Sequence, residues 1–231
     1  NNRPKKRFRL VQNEQCGSIY GFIRLNAIHM NLLTQNSKLK KTSKVLGVRV
    51  FNFGIPAYKT KSGKLTCPFA GGCVKFCYAR KGAYIWKNVF PAFEKRYEIT
   101  KQHDFPEIMT QEIIKKKVEY VRVHDSGDFY SRDYVKKWIK IAKMNPTVKF
   151  YTYTNSIKMV KELKFPDNWD LVFSDSGKQV DLIDKSVDKH TRIFHSHEEL
   201  ISFGYIDCSE IDLYATKWFN KDNINVGLIM H

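Results

Sequence analysis

The chain has 231 residues, of which 42% are hydrophobic and 14% aromatic. This composition excludes a disordered protein and allows one folded domain with a sizeable core. Its net charge of +17 favours contact with a polyanion, most simply nucleic acid, although a solvated lysine-rich surface is the plainer alternative. No apolar run is long enough to cross a membrane and no secretory signal is visible. We therefore expect a cytoplasmic protein without membrane contact.

The first 44 residues are predicted to form a basic N-terminal extension, followed by a domain over residues 45–231. Residues 1–15 are rich in lysine and arginine and are expected to form an arm that either touches phosphates or is only a tail. Residues 35–44 are polar and basic, which favours a loop.

From Val48 onward, segments typical of strands alternate with segments typical of helices. Strands are predicted to start near residues 48, 120, 148, 171 and 192. Helices are predicted over 91–103 and 105–117, after Ser131, after Asn155, near 180–183 and over 198–203. Such a series implies parallel strands joined by helical crossovers. The Asp-Ser-Gly turn occurs at 125–127 and again at 175–177, so the units look equivalent. We therefore predict an α/β fold with a partial (β/α) barrel.

Three cysteines, Cys67, Cys73 and Cys77, follow the first predicted strand with C-x5-C-x3-C spacing. Thiolates are the ligands that zinc and iron–sulfur clusters prefer. A fourth ligand is missing nearby. Cys208, or a histidine such as His195 or His197, is a candidate to close a zinc site, although a single cysteine is more often a small buried hydrophobe. A [4Fe-4S] cluster can instead be held by three cysteines, with a non-protein ligand on its fourth iron.

Barrels of this type carry their chemistry on loops at the strand carboxyl ends. We therefore expect the cysteine loop, residues 124–128 and residues 175–177 to share one face. His124, Asp125 and Asp128 are the candidate catalytic residues there. A carboxylate–imidazole cluster also suits a divalent-metal site for phosphodiester cleavage. The plainer alternative is a turn at a helix entry, in which an aspartate accepts hydrogen bonds from free backbone N–H groups.

The cysteine loop, which ends Phe76-Cys77-Tyr78-Ala79, resembles the radical S-adenosylmethionine (SAM) superfamily. The resemblance is closer to a phage-encoded family of radical-SAM-like proteins and covers about residues 48–231. Shared features are residues 52–57, the Ser-Gly-Asp-Phe-Tyr motif at 126–130, and the ending at 225–231. Both gaps of the loop are longer than the C-x3-C-x2-C spacing usual in the superfamily.

The resemblance implies a partial barrel of radical-SAM type, in which Cys67, Cys73 and Cys77 bind a [4Fe-4S] cluster. It implies that SAM binds the open iron and is cleaved reductively to a radical that abstracts a hydrogen atom from the substrate. By the same resemblance, the cofactor-binding residues are Tyr78, Ser126, Gly127, Asp128 and Asp175. The alternatives are a non-catalytic iron–sulfur or zinc protein that binds nucleic acid, and a metal-dependent nuclease.

Overall fold

A computed structural model describes residues 31–230 of the chain. The predicted basic arm at residues 1–15 lies outside the described residues. The described residues belong to one compact unit. The domain boundary at residue 44 stays a prediction.

The centre of this unit is a seven-stranded sheet in which every neighbouring pair of strands is parallel. The strand order is β1-β2-β3-β4-β5-β7-β6, and the sheet curls into a half-barrel. The strands are β1 (Val50–Phe53), β2 (Tyr120–Val123), β3 (Lys149–Thr154), β4 (Trp169–Ser174), β5 (His190–Phe194), β6 (Ile206–Asp207) and β7 (Asn225–Ile229). All five predicted strands are confirmed, as is the parallel α/β half-barrel.

Helices connect the strands and cover the sheet. They are α1 (Ser37–Leu46), α2 (Cys73–Phe76), α3 (Phe90–Lys101), α4 (Phe105–Lys116), α5 (Arg132–Met144), α6 (Ile157–Lys161) and α7 (His197–Ser202). The Ser131 hydroxyl caps α5 by accepting the Tyr134 N–H at 3.2 Å, as predicted. The segment near 180–183 forms only a short 3₁₀ turn, Val180–Leu182. No helix within 31–230 has the length and apolar character needed to cross a bilayer.

The prediction of a loop over residues 35–44 is wrong, because α1 occupies most of this segment. The Asn36 side chain accepts the Leu39 N–H at 2.9 Å, and Gly47 ends the helix in the left-handed conformation with a φ of 66°. Only Leu39 and Thr42 are buried in this helix. The helix therefore contacts the rest of the domain through a narrow face, which its mostly polar sequence does not indicate.

The two faces of the sheet pack differently. On one face, Phe53 of β1 contacts Phe105 and Trp138 of the covering helices, with ring centroids 5.9 and 5.2 Å away. On the other face, α1 and the segment around Leu213 cover Val50 and Tyr151, so this face is also buried. Both faces of the sheet are therefore occupied, and the carboxyl ends of the strands are left to form a site.

A buried ionic network also lies on this second face. The Asp212 carboxylate accepts Arg122 Nη1 at 3.0 Å, Lys38 Nζ at 2.8 Å and the Tyr151 hydroxyl at 2.6 Å. Burial alone would raise the pKa of Asp212, but Arg122 and Lys38 lower it to about 2. Asp212 is therefore a paired structural carboxylate.

Candidate metal centre

The three cysteines of the loop lie together at the edge of the sheet where the strands end. Cys67 precedes α2, Cys73 is the first residue of α2, and Cys77 directly follows it. All three are half-buried free thiols. Burial raises the pKa of Cys67, and the charge of Asp128 and the thiols of Cys77 and Cys73 raise it further. The thiols are thus near enough to influence one another's charge.

Backbone contacts hold the cysteine loop against two neighbouring turns. Ala70 forms a bridge with Gly177, and the Lys178 N–H donates to the carbonyl oxygen of Phe69 at 2.8 Å. On the other side, the Asp128 N–H donates to the Thr66 carbonyl oxygen at 3.0 Å. The cysteine loop and the two Asp-Ser-Gly turns therefore share one face, as predicted.

Two glycines permit this close approach. A Cβ atom on Gly71 would lie 2.8 Å from the Ser176 carbonyl oxygen, and one on Gly177 would lie 2.3 Å from Asn155 Oδ1. Real Cβ atoms do not come so close to other heavy atoms, so any larger residue would push the loop away. By contrast, nothing lies within 4 Å of a Cβ placed on Gly72.

An N–H group lies near each of the three sulfurs. Cys67 Sγ accepts the Tyr58 backbone N–H at 3.3 Å, and Asn155 Nδ2 lies 4.0 Å from Cys73 Sγ. Burial raises the pKa of Cys77, while the N–H groups of the following 3₁₀ turn act to lower it. N–H donors stabilise thiolates and tune the potential of clusters that thiolates bind.

The predicted residue Asp128 is held by hydrogen bonds. Its Oδ1 accepts the Phe129 N–H at 2.7 Å and the Thr154 hydroxyl at 2.6 Å, and its Oδ2 accepts the Asn155 N–H at 2.8 Å. Burial raises the pKa of Asp128 to about 6, and these bonds oppose the shift. Asp128 therefore ties the turn after β2 to the end of β3. The Ser156 side chain also acts to lower this pKa, so about four donors surround a carboxylate that has about four acceptor positions.

His124 and Asp125 are anchored in the same turn. His124 has a positive φ of 68°, and its Nε2 lies 2.9 Å from the Tyr134 hydroxyl. Burial lowers the pKa of His124 to about 3, so the imidazole is neutral at physiological pH. Asp125 Oδ2 accepts the Tyr84 hydroxyl at 3.0 Å, and burial raises its pKa. His124 Nδ1 and Asp125 Oδ1 are buried without a hydrogen-bond partner among the described residues, and the catalytic role of these residues stays a prediction.

The residues predicted to bind a cofactor lie around the same turns. The Tyr78 hydroxyl donates to the Asp125 carbonyl oxygen. The Ser126 hydroxyl donates to the Ile55 carbonyl oxygen at 2.8 Å. Gly127 has a φ of 81°, and the Asp175 carboxylate lies 3.6 Å from Lys185 Nζ. Binding of a cofactor by these residues stays a prediction.

Cys208 lies in an apolar environment. It is fully buried among Val172, Ala215 and Val226, and its thiol lies 3.5 Å from the Ile206 carbonyl oxygen. Burial raises its pKa to about 12, which keeps the sulfur protonated. This environment favours the alternative of a small buried hydrophobe over that of a fourth ligand.

The two candidate histidines have contacts of their own. His197 Nδ1 lies 3.2 Å from Asp207 Oδ2, and the His195 N–H donates to Glu199. Both histidines are exposed. As ligands they stay predictions.

The three cysteines can be compared with the ligands of a mononuclear zinc site and of an iron–sulfur cluster. Within residues 31–230, no three Cys, His, Asp or Glu side chains form a group that could hold one metal ion. A zinc site needs its sulfurs about 2.3 Å from one point. In a cubane cluster each cysteine binds a different iron, so the ligand sulfurs stand farther apart. Three free thiols in one loop are ligands that either group accepts.

Two residues of this site, Asn155 and Tyr84, were not predicted from the sequence. Asn155 directly follows β3, at the edge where Asp125 follows β2, and this position could have identified it. Its Oδ1 is buried without a hydrogen-bond partner among the described residues. Tyr84 belongs to an irregular segment and has no comparable signal.

A scan of protein families matched residues 30–228 to the family described as Gene product 88, which is of phage type. The scan gave no match to a radical SAM family. No curated protein and no solved structure is significantly similar to the chain.

Proposed function

The chain belongs to the Gene product 88 family, and we propose that it is an iron–sulfur protein of radical-SAM type that acts on a nucleic acid or a nucleotide. Cys67, Cys73 and Cys77 would hold a [4Fe-4S] cluster. Its fold would then be a partial barrel of radical-SAM type. With a phage-type family, the host cytoplasm is the expected location.

One observation carries the proposal. Three free thiols, each near an N–H donor, lie in one loop at the carboxyl ends of a parallel half-barrel. Barrel folds use this edge for chemistry. Lys75, Arg80 and Lys81 flank the thiols in the chain, and their charge would offset the negative charge of a thiolate-ligated cluster.

A bound cluster would supply the electron for reductive cleavage of SAM. The protein itself would orient SAM and shield the cluster from water. Asp128 would exchange one of its hydrogen bonds for the ammonium group of an amino-acid moiety, because a buried carboxylate pairs well with a cation. The half-buried loop would limit access of water to the sulfurs.

Two alternatives remain. A non-catalytic protein, with a cluster or zinc that only ties loops together, would need a fourth ligand, and the apolar surroundings of Cys208 do not favour that residue. A nuclease would need His124, Asp125 and Asp128 to bind a divalent cation. Within residues 31–230 these three side chains do not form a group that could hold a metal ion.

The test is the iron and sulfide content of protein purified without oxygen. We expect about four irons per chain, and loss of most of this iron in Cys67→Ser, Cys73→Ser and Cys77→Ser. Cys208→Ser is the matched control and should keep its iron. A colourless wild-type protein holding stoichiometric zinc would overturn the proposal. Cleavage of nucleic acid that needs added divalent cations and is lost in Asp128→Ala would favour the nuclease.

A further inference from the structure

Two grooves lie between α5 and α6 on the outside of the half-barrel. The first is about 290 Å³ and is lined by Phe69 of the cysteine loop, Arg132, Lys158, Met159 and Glu162. The second is about 370 Å³ and is lined by Lys136, Ile139, Lys140, Lys143, Leu163 and Lys164. Both grooves use α5 and the α6 region, so they follow the same pair of elements.

The order of residues along α5 gives the direction of this track. Arg132, at the start of α5, lines the groove that reaches the cysteine loop, and Lys143, near its end, lines the other. With a rise of 1.5 Å per residue, the helix covers about 16 Å between these two positions. This equals about five phosphates at the 3.4 Å spacing of a helical strand.

The charge of the track is strongly positive. Among the described residues, Arg132 pairs with Glu162 at 2.6 Å and Lys140 pairs with Glu107 at 2.6 Å. Lys136, Lys143 and Lys164 are exposed and have no ion pair within the described part of the chain. The floor between them is aliphatic, from Ile139 and Leu163. Several unpaired lysines around one groove repel one another, and a polyanion would remove that cost.

We infer that the two grooves together bind the phosphodiester backbone of a nucleic-acid strand and lead it to the cysteine loop. We call them the basic groove; its cationic residues are Arg132, Lys136, Lys140, Lys143, Lys158 and Lys164. The inference rests on the proposed function for the chemistry at the loop, but not for binding itself. It decides between the two substrate classes left open above. A free nucleotide carries its phosphates together and needs no track of this length, whereas a polymer does.

The experiment measures binding of fluorescein-labelled 12-nucleotide single-stranded RNA and DNA by fluorescence anisotropy at several salt concentrations. The test variant is Lys136→Gln with Lys143→Gln and Lys164→Gln. The matched control is Lys44→Gln with Lys115→Gln and Lys221→Gln, which removes the same charge at exposed positions elsewhere. A mononucleotide serves as competitor.

The logarithm of the binding constant falls linearly with the logarithm of the salt concentration. For a single strand, each phosphate contact removed reduces the magnitude of this slope by about 0.7. We therefore expect the groove variant to lose about 2 from the slope and at least about tenfold in affinity at low salt. The control variant should stay within about twofold of the wild type, and the mononucleotide should compete poorly. Equal losses in both variants, an unchanged groove variant, or no binding by the wild type would each overturn the inference.

Iron content is measured on the same preparations, which separates the two proposals. Groove-dependent binding by a protein that holds no iron would refute the proposed function and support the groove. A protein that holds a full cluster, and whose oligonucleotide binding does not depend on the groove lysines, would support the proposed function and refute the groove.

Discussion

Two polar clusters of this protein differ in how their groups are paired. On the buried face of the sheet, Asp212 has three strong donors, and its pKa is about 2. At the strand ends, the three thiols have only weak N–H donors and stay free. A cluster with its charges already paired stabilises the fold, whereas a cluster of free thiols has capacity for a ligand. Mutations in the Asp212 network should therefore lower the stability of the protein, whereas mutations of the three cysteines should lower its metal content.

The largest expected effect is that of Asp212→Asn. Loss of this carboxylate leaves Arg122 buried without its charge partner, so the free energy of unfolding should fall by about 3–5 kcal/mol in urea titrations. Glu98→Gln, which removes an exposed pair with Lys101, should change it by less than about 1 kcal/mol. Similar losses in the two variants would show that the Asp212 network does not stabilise the fold.

The network also makes a prediction about acid. The native pKa of Asp212, about 2, lies below the ordinary value of 3.8, so ionised Asp212 favours the folded state. The contribution of Asp212 to the free energy of unfolding is nearly complete above about pH 4 and is lost as the pH falls towards 2. The wild type should therefore lose more stability than Asp212→Asn over this range.

His124 should give the next largest effect, in a milder pH range. Its native pKa of about 3 lies below the ordinary 6.5, so folding favours the neutral ring and stability falls as pH drops below 6.5. Between pH 6.5 and 4.5 the free energy of unfolding of the wild type should fall by about 2.3 kcal/mol more than that of His124→Asn. Asparagine suits the left-handed backbone at this position. Parallel pH profiles for the two proteins would contradict the burial of a neutral imidazole.

Gly71→Ala should affect the thiol loop without affecting the paired network. The added Cβ would lie 2.8 Å from the Ser176 carbonyl oxygen, and overpacking of this kind costs about 1–3 kcal/mol. We expect weaker retention of iron under a chelator, by about tenfold for each 1.4 kcal/mol. Gly72→Ala, with open space around its Cβ, is the matched control. Equal retention of iron in the two variants would mean that docking of the loop does not support the site.

The smallest expected effect is that of Asn155→Ala. This substitution removes the amide near Cys73 and keeps the backbone N–H that binds Asp128. A lost hydrogen bond of about 0.5–1 kcal/mol should lower the reduction potential by about 20–40 mV for one electron. An unchanged potential in redox titrations would show that the amide does not donate to the sulfur.

The sequence predicted the parts of the fold that have strong periodicity or clear end signals. The five strands from β1 to β5 and the Ser131 cap follow from apolar patterns and turn residues. Helix α1 was missed because only Leu39 and Thr42 of its residues are buried. Strands β6 and β7 were missed as well. β6 has two residues, and β7 pairs between β5 and β6, an order that no local pattern encodes.

The candidate site was predictable to a similar degree. Chain position alone indicated that the cysteine loop and the two Asp-Ser-Gly turns meet, because parallel strands end at one edge. The engagement of Asp128 by Thr154 and Asn155 was not predictable, since it depends on the approach of two separate turns. The burial of Cys208 likewise depends on Val172 and Val226, which are distant in the chain.

In our proposal, Cys67, Cys73 and Cys77 hold a cluster with one open iron. The most direct test is the electron paramagnetic resonance spectrum of the reduced, anaerobic protein before and after addition of SAM. We expect a cluster signal that changes when SAM is added, in both the wild type and Cys208→Ser. A cluster signal that SAM leaves unchanged, and that Cys208→Ser abolishes, would contradict it and would indicate a closed structural cluster.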